Sequence, residues 1–201
     1  MTIKRTLHLA LTATVALLAA LPAPAAAQQQ DSAAVRALLD QRDREIKDLV
    51  GPEGAEYTEA QREQLKDIIN GIIDYRSMAA YALQQTWDTL SVEERDEFVE
   101  VFSTVVRDQS MNNLDIYRAR VEYLAIRVNG DSARVHTTVM QDASRIPVHY
   151  DMNYDGEWTV TDIVIDDVST AESYRSQYQR IISQRGYQVL LEALRKRAGR
   201  G

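Results

Sequence analysis

The sequence predicts an α+β fold: a four-stranded antiparallel sheet packed on one face by helices. Three observations carry this. Apolar residues recur at helical spacing through the first half of the chain, the period drops to two from Arg120, and helical spacing returns after Ser169. The 201 residues suffice for one domain with a real core, and 45% hydrophobic with 26% charged residues is an ordinary globular balance.

Residues 1–27 read as a signal peptide and 28–201 as a single domain. Lys4 and Arg5 form a positive start, Leu7 to Leu21 an apolar run, and Ala25, Ala26 and Ala27 supply small residues for cleavage after Ala27. The chain is therefore expected to be exported. The formal charge of −7 argues against nucleic acid and against simple adhesion to anionic membranes. Loss of Lys4 and Arg5 would take it to about −9. With no cysteine, disulfides, thiol nucleophiles, thiolate metal sites and lipoprotein anchoring are excluded.

The first helix is expected over about Ser32 to Val50, with Val35, Leu38, Leu39, Ile46 and Leu49 on one stripe, ended by Gly51-Pro52-Glu53-Gly54. Thr58 to Gln61 is a capping box opening a helix whose face is Leu65, Ile68, Ile69, Ile72 and Ile73. Asp74 caps a shorter helix with Tyr75, Met78, Ala82 and Leu83. Ser91 to Glu94 is another capping box, before a long helix expected to reach about Tyr117 with Phe98, Phe102, Val105 and Val106 inward.

The first strand has apolar residues on both alternations (Val121, Tyr123 and Ala125; Leu124, Ile126 and Val128), which predicts burial on both faces. Asn129-Gly130 turns into a strand carrying Ala133, Val135, Thr137 and Val139, and residues 142–145 turn into the third. There Ile146, Val148, Tyr150, Met152 and Tyr154 oppose Pro147, His149, Asp151 and Asn153. Asp155-Gly156 suggests a type I′ turn, and the return strand is expected from Trp158 to about Val168. Its apolar register slips from Trp158 and Val160 to Ile163 and Ile165, which predicts a bulge near Thr161-Asp162. Ser169 to Glu172 caps a helix with Tyr174, Tyr178 and Ile181 on one stripe; Gly186 ends it, and Tyr187 to Leu194 form the last helix.

Catalytic signals are sparse. His136 and His149 lie on the polar registers of neighbouring strands without metal-ligand spacing, and no glycine loop suits a phosphate, so no cofactor or metal is expected. Asp162, Asp166 and Asp167 read as strand-edge and turn residues, with Asp162 or His149 the candidate base of an alternative isomerase or hydratase. Ten tyrosines and two tryptophans against two phenylalanines are the positive signal. From composition such side chains read first as core filling, and the rim of an apolar pocket is the alternative.

Residues 158–169, WTVTDIVIDDVS, followed by Tyr174-Arg175-Ser176-Gln177-Tyr178, resemble the signature of the MlaC family, as do Asp74 to Met78, Ala82-Leu83, Trp87, Leu90-Ser91, Arg95 and Phe98 to Phe102. The resemblance spans about Ile72 to Leu194. It departs from the family at Gln84 and Asp167, where glycine is usual, and at Ser173, where asparagine is usual. It implies a strongly curved NTF2-like sheet whose helices enclose an elongated apolar pocket for acyl chains. It also implies a soluble periplasmic phospholipid carrier, not an enzyme, working between an inner-membrane ABC transporter complex and an outer-membrane lipoprotein complex. A hopanoid or other polycyclic lipid is the alternative cargo. On this reading the pocket residues are Tyr75, Met78, Phe102, Val105, Tyr117, Val148, Tyr150, Met152, Trp158, Val160, Tyr174, Tyr178 and Ile181, with Val148 and Met152 facing Phe102 and Val105. Arg175 serves either a structural bond or the lipid headgroup.

Overall fold

The structure, a computed structural model, describes residues 24–112, 114–141 and 144–199. The expected signal peptide falls mostly on residues 1–23, outside that range. Helix α1 covers Pro24–Val50, starting earlier than the apolar stripe alone indicates. Helices α2 (Glu59–Asn70), α3 (Tyr75–Leu83), α4 (Gln85–Thr89) and α5 (Val92–Ser110) follow. Thr58 and Ser91 make both bonds of their capping boxes, and the Asp74 carboxylate accepts from Ser77 N–H. These local signals set the helix starts where the sequence indicates.

The long helix does not reach Tyr117. It stops at Ser110, and a separate 3-10 helix spans Leu114–Arg118. Arg118 locks that turn in place: its guanidinium donates to the carbonyls of Val50, Gly51 and Pro52 and to the Tyr57 hydroxyl. One side chain thus fastens the connection between α1 and α2 to the entrance of the sheet.

Strands β1 (Arg120–Asn129), β2 (Ser132–Gln141), β3 (Ser144–Tyr154), β4 (Trp158–Ile165) and β5 (Val168–Ser169) form one antiparallel sheet in sequential order. The sheet has five strands where four were expected. β4 ends at Ile165 because Asp166 and Asp167 both adopt positive φ and reverse the chain, letting Val168 and Ser169 pair back on Ile165 and Val164. Gln84, between α3 and α4, is the other non-glycine residue at positive φ among those described. Two of the three departures from the family's usual residues therefore occupy backbone conformations that favour glycine.

Two bulges bend the sheet. Asp151 pairs with Asp162 and Met152 with Val160, so Thr161 is the extra residue, as the register slip in the sequence requires. In β1, Tyr123 pairs with Thr137 and Ala125 with His136, leaving Leu124 as the extra residue, 67% exposed. β1 is therefore not buried on both faces; the bulge moves its inward set from Val121 and Tyr123 to Ile126 and Val128. The β1–β2 loop is Gly130-Asp131, and the β3–β4 loop has three residues, Asp155 to Glu157, with only Gly156 at positive φ. That loop is not a type I′ turn, which needs positive φ at two positions.

Helices α6 (Thr170–Arg185) and α7 (Tyr187–Ala198) close the chain. Ser169 caps α6 by accepting from Glu172 N–H, but the Glu172 carboxylate turns to Arg175 and Tyr81 and does not complete a box. Asp162 completes the cap from β4, its carboxylate accepting from Ser169 Oγ at 2.6 Å and from Ala171 N–H at 2.9 Å.

Buried apolar residues form two separate clusters. One lies among α3, α5, α6 and α7, around Met78, Phe98, Phe102 and Tyr178. The other joins Val35 and Leu39 of α1 to Val135, Met152 and Val160 of the sheet. Val160, on the free edge of β4, donates its N–H to the Ile72 carbonyl and accepts from Asp74 N–H, which helps hold the two layers together.

Candidate functional site

Between the two clusters the sheet does not meet the helices side chain to side chain. Val121 and Tyr123 of β1, Val139 of β2, Val148 and Tyr150 of β3, and Ile163 and Ile165 of β4 face a cavity of about 470 Å³. Its opposite wall comes from α1 (Leu39, Arg42, Asp43, Ile46), the end of α2 (Ile68, Ile69) and the end of α5 (Val106, Gln109). The wall is overwhelmingly apolar; Arg42 and Asp43 are its charged members among the described residues. The volume lies within the range of about 300–1,000 Å³ typical of small-ligand sites.

Several polar contacts set this wall. Asn70, 2% exposed, donates through Nδ2 to the Lys66 carbonyl and Ser110 Oγ and accepts from the Tyr75 hydroxyl at 2.6 Å, tying α2, α3 and α5 together. Arg118 holds the 3-10 helix, from which Ile116 and Tyr117 reach the cavity. Three wall residues carry phenolic hydroxyls. Burial pushes Tyr150 up to about 12 and raises Tyr117 and Tyr123 as well. These groups stay neutral at physiological pH and act as hydrogen-bonding hydroxyls, not as charges.

Of the residues assigned to the pocket from the sequence, Tyr117, Val148, Tyr150 and Val160 lie on this wall. Met78, Phe102, Val105 and Tyr178 are instead buried in the helical cluster, with Tyr75, Tyr174 and Ile181 packed against it. Phe102 contacts Tyr75, Phe98, Tyr174 and Tyr178 in ring pairs 5.2–6.3 Å apart, which accounts for its inward face without any ligand. Met152 and Trp158 belong to the cluster under α1. Val148 and Met152 therefore do not look across at Phe102 and Val105: α5 presents Val106, one position on, and α1 covers Met152. The α6 helix contributes Thr170 to the cavity, while its tyrosines face other helices. Arg175 sits on the surface, paired with Glu172.

Residues not assigned to the pocket from the sequence supply much of the wall, notably Arg42, Val121, Ile163 and Ile165. For Arg42 a signal existed: positions 42 and 43 are the gap in the apolar stripe of α1.

The acid–base candidates lie elsewhere. His136 and His149 stack edge to face, 4.4 Å between centroids, on the opposite side of the sheet. Burial, followed by the neighbouring imidazole, lowers the His136 pKa. Asp162 is engaged at the start of α6 and does not line the cavity. No group of three or more His, Cys, Asp or Glu side chains placed to hold a metal occurs among the described residues. A second depression of about 580 Å³, open to solvent, is lined by Arg127, Arg134, Asp151 and Asn153 among others, with Arg134 and Asp151 joined as a two-bonded ion pair. No described helix is long and apolar enough to cross a membrane.

The family model for the MlaC protein matches residues 43–196. Among solved structures, the chain is similar to a phospholipid-binding protein from Ralstonia solanacearum determined in complex with a phospholipid. The TM-score is 0.69 at 24% identity, covering 84% of this chain and 97% of that one, a likeness that establishes the shared fold. A comparison with curated proteins gives no match.

Proposed function

The chain belongs to the MlaC family, and on that premise we propose that it is a periplasmic phospholipid carrier, exported with cleavage near Ala27, that shuttles lipid between outer- and inner-membrane complexes of an Mla-type ABC transport system. The observation that carries this reading is the apolar cavity enclosed by the sheet and by α1, α2, α5, α6 and the 3-10 helix, with three tyrosines on its wall. The bound phospholipid of the Ralstonia solanacearum protein supports it.

Burial of acyl chains supplies the affinity. At about 0.8 kcal/mol per methylene, two long chains contribute on the order of 20 kcal/mol gross. An open groove would forfeit much of that, and rigid enclosure would prevent release, so the walls separate when a partner favours the emptied state. Among the described residues the one carboxylate on the wall, Asp43, is taken up by Lys47, which favours carriage over catalysis. The wall residues are then the binding residues: Val148, Tyr150, Val160 and Tyr117 together with Val121, Ile163 and Ile165.

Mass spectrometry of organic extracts from the purified exported chain tests the proposal. Diacyl phospholipid in near-stoichiometric amount is expected. A hopanoid, or no lipid at all, would refute it.

A further inference from the structure

We infer that Arg42 binds the phosphate of the carried lipid, so that the headgroup lies against α1 and the acyl chains run toward α2, α5 and the sheet. This rests on the carrier reading and adds the polar end of the same site.

The inner stripe of α1 runs Val35, Leu39, Ile46, Val50, and Arg42 falls within it where an apolar residue would ordinarily complete the face. Arg42 lines the cavity and is partly withdrawn from water, its side chain 31% exposed. Nη1 donates to Glu45 Oε2 at 2.9 Å, but Nε is shielded from solvent and has no hydrogen-bond partner in the protein. A guanidinium N–H left that way is costly unless something accepts from it, and buried polar atoms without partners are rare enough to need a reason.

The neighbouring acids do not provide one. Asp43, on the same wall, receives Lys47 Nζ at 2.9 Å, and Asp40 receives Arg36 Nε at 2.8 Å. Arg42 is thus the one cation on the described wall, holding an unused donor beside an otherwise apolar volume. A planar guanidinium suits a phosphate diester, whose oxygens accept charge-assisted hydrogen bonds. Tyr123 and Tyr150 on the facing strands line the same cavity.

The test compares dioleoylphosphatidylglycerol with dioleoylglycerol, which has the same chains and no phosphate, each offered to the delipidated chain and quantified by native mass spectrometry. Unsubstituted protein is expected to prefer the phospholipid by on the order of tenfold or more, the scale of one charge-assisted hydrogen bond. Arg42→Gln should bring that preference to within about threefold while still loading dioleoylglycerol, which also shows that the variant folds. Arg44→Gln, exposed on the same helix and off the cavity wall, should leave the preference unchanged. Inorganic phosphate at millimolar concentration should not displace the lipid; displacement would identify a free-phosphate site and overturn the headgroup assignment. Equal loading of both lipids by unsubstituted protein, or an undiminished preference in Arg42→Gln, would overturn it too. Failure to load either lipid would instead remove the carrier reading on which it stands.

Discussion

Replacing Val148 with glutamate places a carboxyl on the cavity wall at a position 6% exposed. The backbone there is well held: Val148 pairs with Thr137 and Ile165, and its carbonyl accepts from Thr137 Oγ1 at 2.8 Å. The two extra heavy atoms extend into the cavity and not into packed neighbours. The fold then loses at most the burial of one valine, about 1.5–3 kcal/mol, which a domain of ordinary stability tolerates. Loading is affected far more. In the empty, hydrated cavity the carboxyl titrates near 4.3, whereas acyl chains around it raise its pKa by about 3–5 units. The group therefore takes up a proton on loading. Affinity is fully present below the empty-state pKa, falls tenfold per unit as pH rises through it, and levels off above the loaded-state pKa. At about pH 5.8, safely above the sequence pI of 5.0, the loss is about 30-fold. At pH 8.5 it is about 10³- to 10⁴-fold, from 1.36 kcal/mol per unit. Lipid retained after equilibration with acceptor vesicles, measured at both pH values alongside circular dichroism, is the assay. Lipid lost equally at both values, unchanged lipid content, or an unfolded variant would each refute the placement of Val148 against acyl chains.

Three further outcomes follow from the geometry. Gln84→Gly and Asp167→Gly relieve non-glycine residues at φ +51° and +62° and should each stabilise by about 1 kcal/mol, raising the melting temperature by about 2–4 °C per substitution; calorimetry showing no gain would mean the strain is compensated locally. Asp162→Ala removes the acceptor of Ser169 Oγ and Ala171 N–H and should cost about 1–3 kcal/mol, with Asp162→Asn milder, read from urea midpoints. Bonds from Arg175 and then Tyr81 hold Glu172 down to about 2, so its contribution to stability is present above its ordinary pKa near 4.3 and fades as pH falls toward 2. Carboxyl NMR should find that depressed midpoint, and Arg175→Gln should return it most of the way to normal.

The parts of the fold that were legible in the sequence are those written locally. Thr58, Asp74 and Ser91 start helices through bonds three residues long, and the slip from Val160 to Ile163 marks the β4 bulge because polar Thr161 and Asp162 separate the two registers. The β1 bulge carries the same slip, but its extra residue is Leu124, whose apolar side chain reads as a second buried face. Asp162 looked like strand-edge polarity because its partners, seven and nine residues on, come close only after the Asp166-Asp167 reversal. The pocket was the least legible part. Phe102 and Val148 both sit on apolar stripes, and a stripe does not say whether it faces another side chain or a void. Arg42 left a signal that the stripe alone passes over, since a charge inside a stripe contradicts the pattern around it.

The separation of the buried side chains into two clusters bears on cooperativity. Each layer carries its own apolar interior, and the volume between them contributes no packing enthalpy while it holds only water. The emptied chain should accordingly melt as two weakly coupled units, with exchange protection of α5 and α7 amides differing from that of β2 and β3. A lipid spanning the gap supplies the missing contacts and fuses the two melting events into one. On the carrier reading, the cargo is then the third layer of the domain, and each delivery leaves behind a protein that is momentarily two foldons.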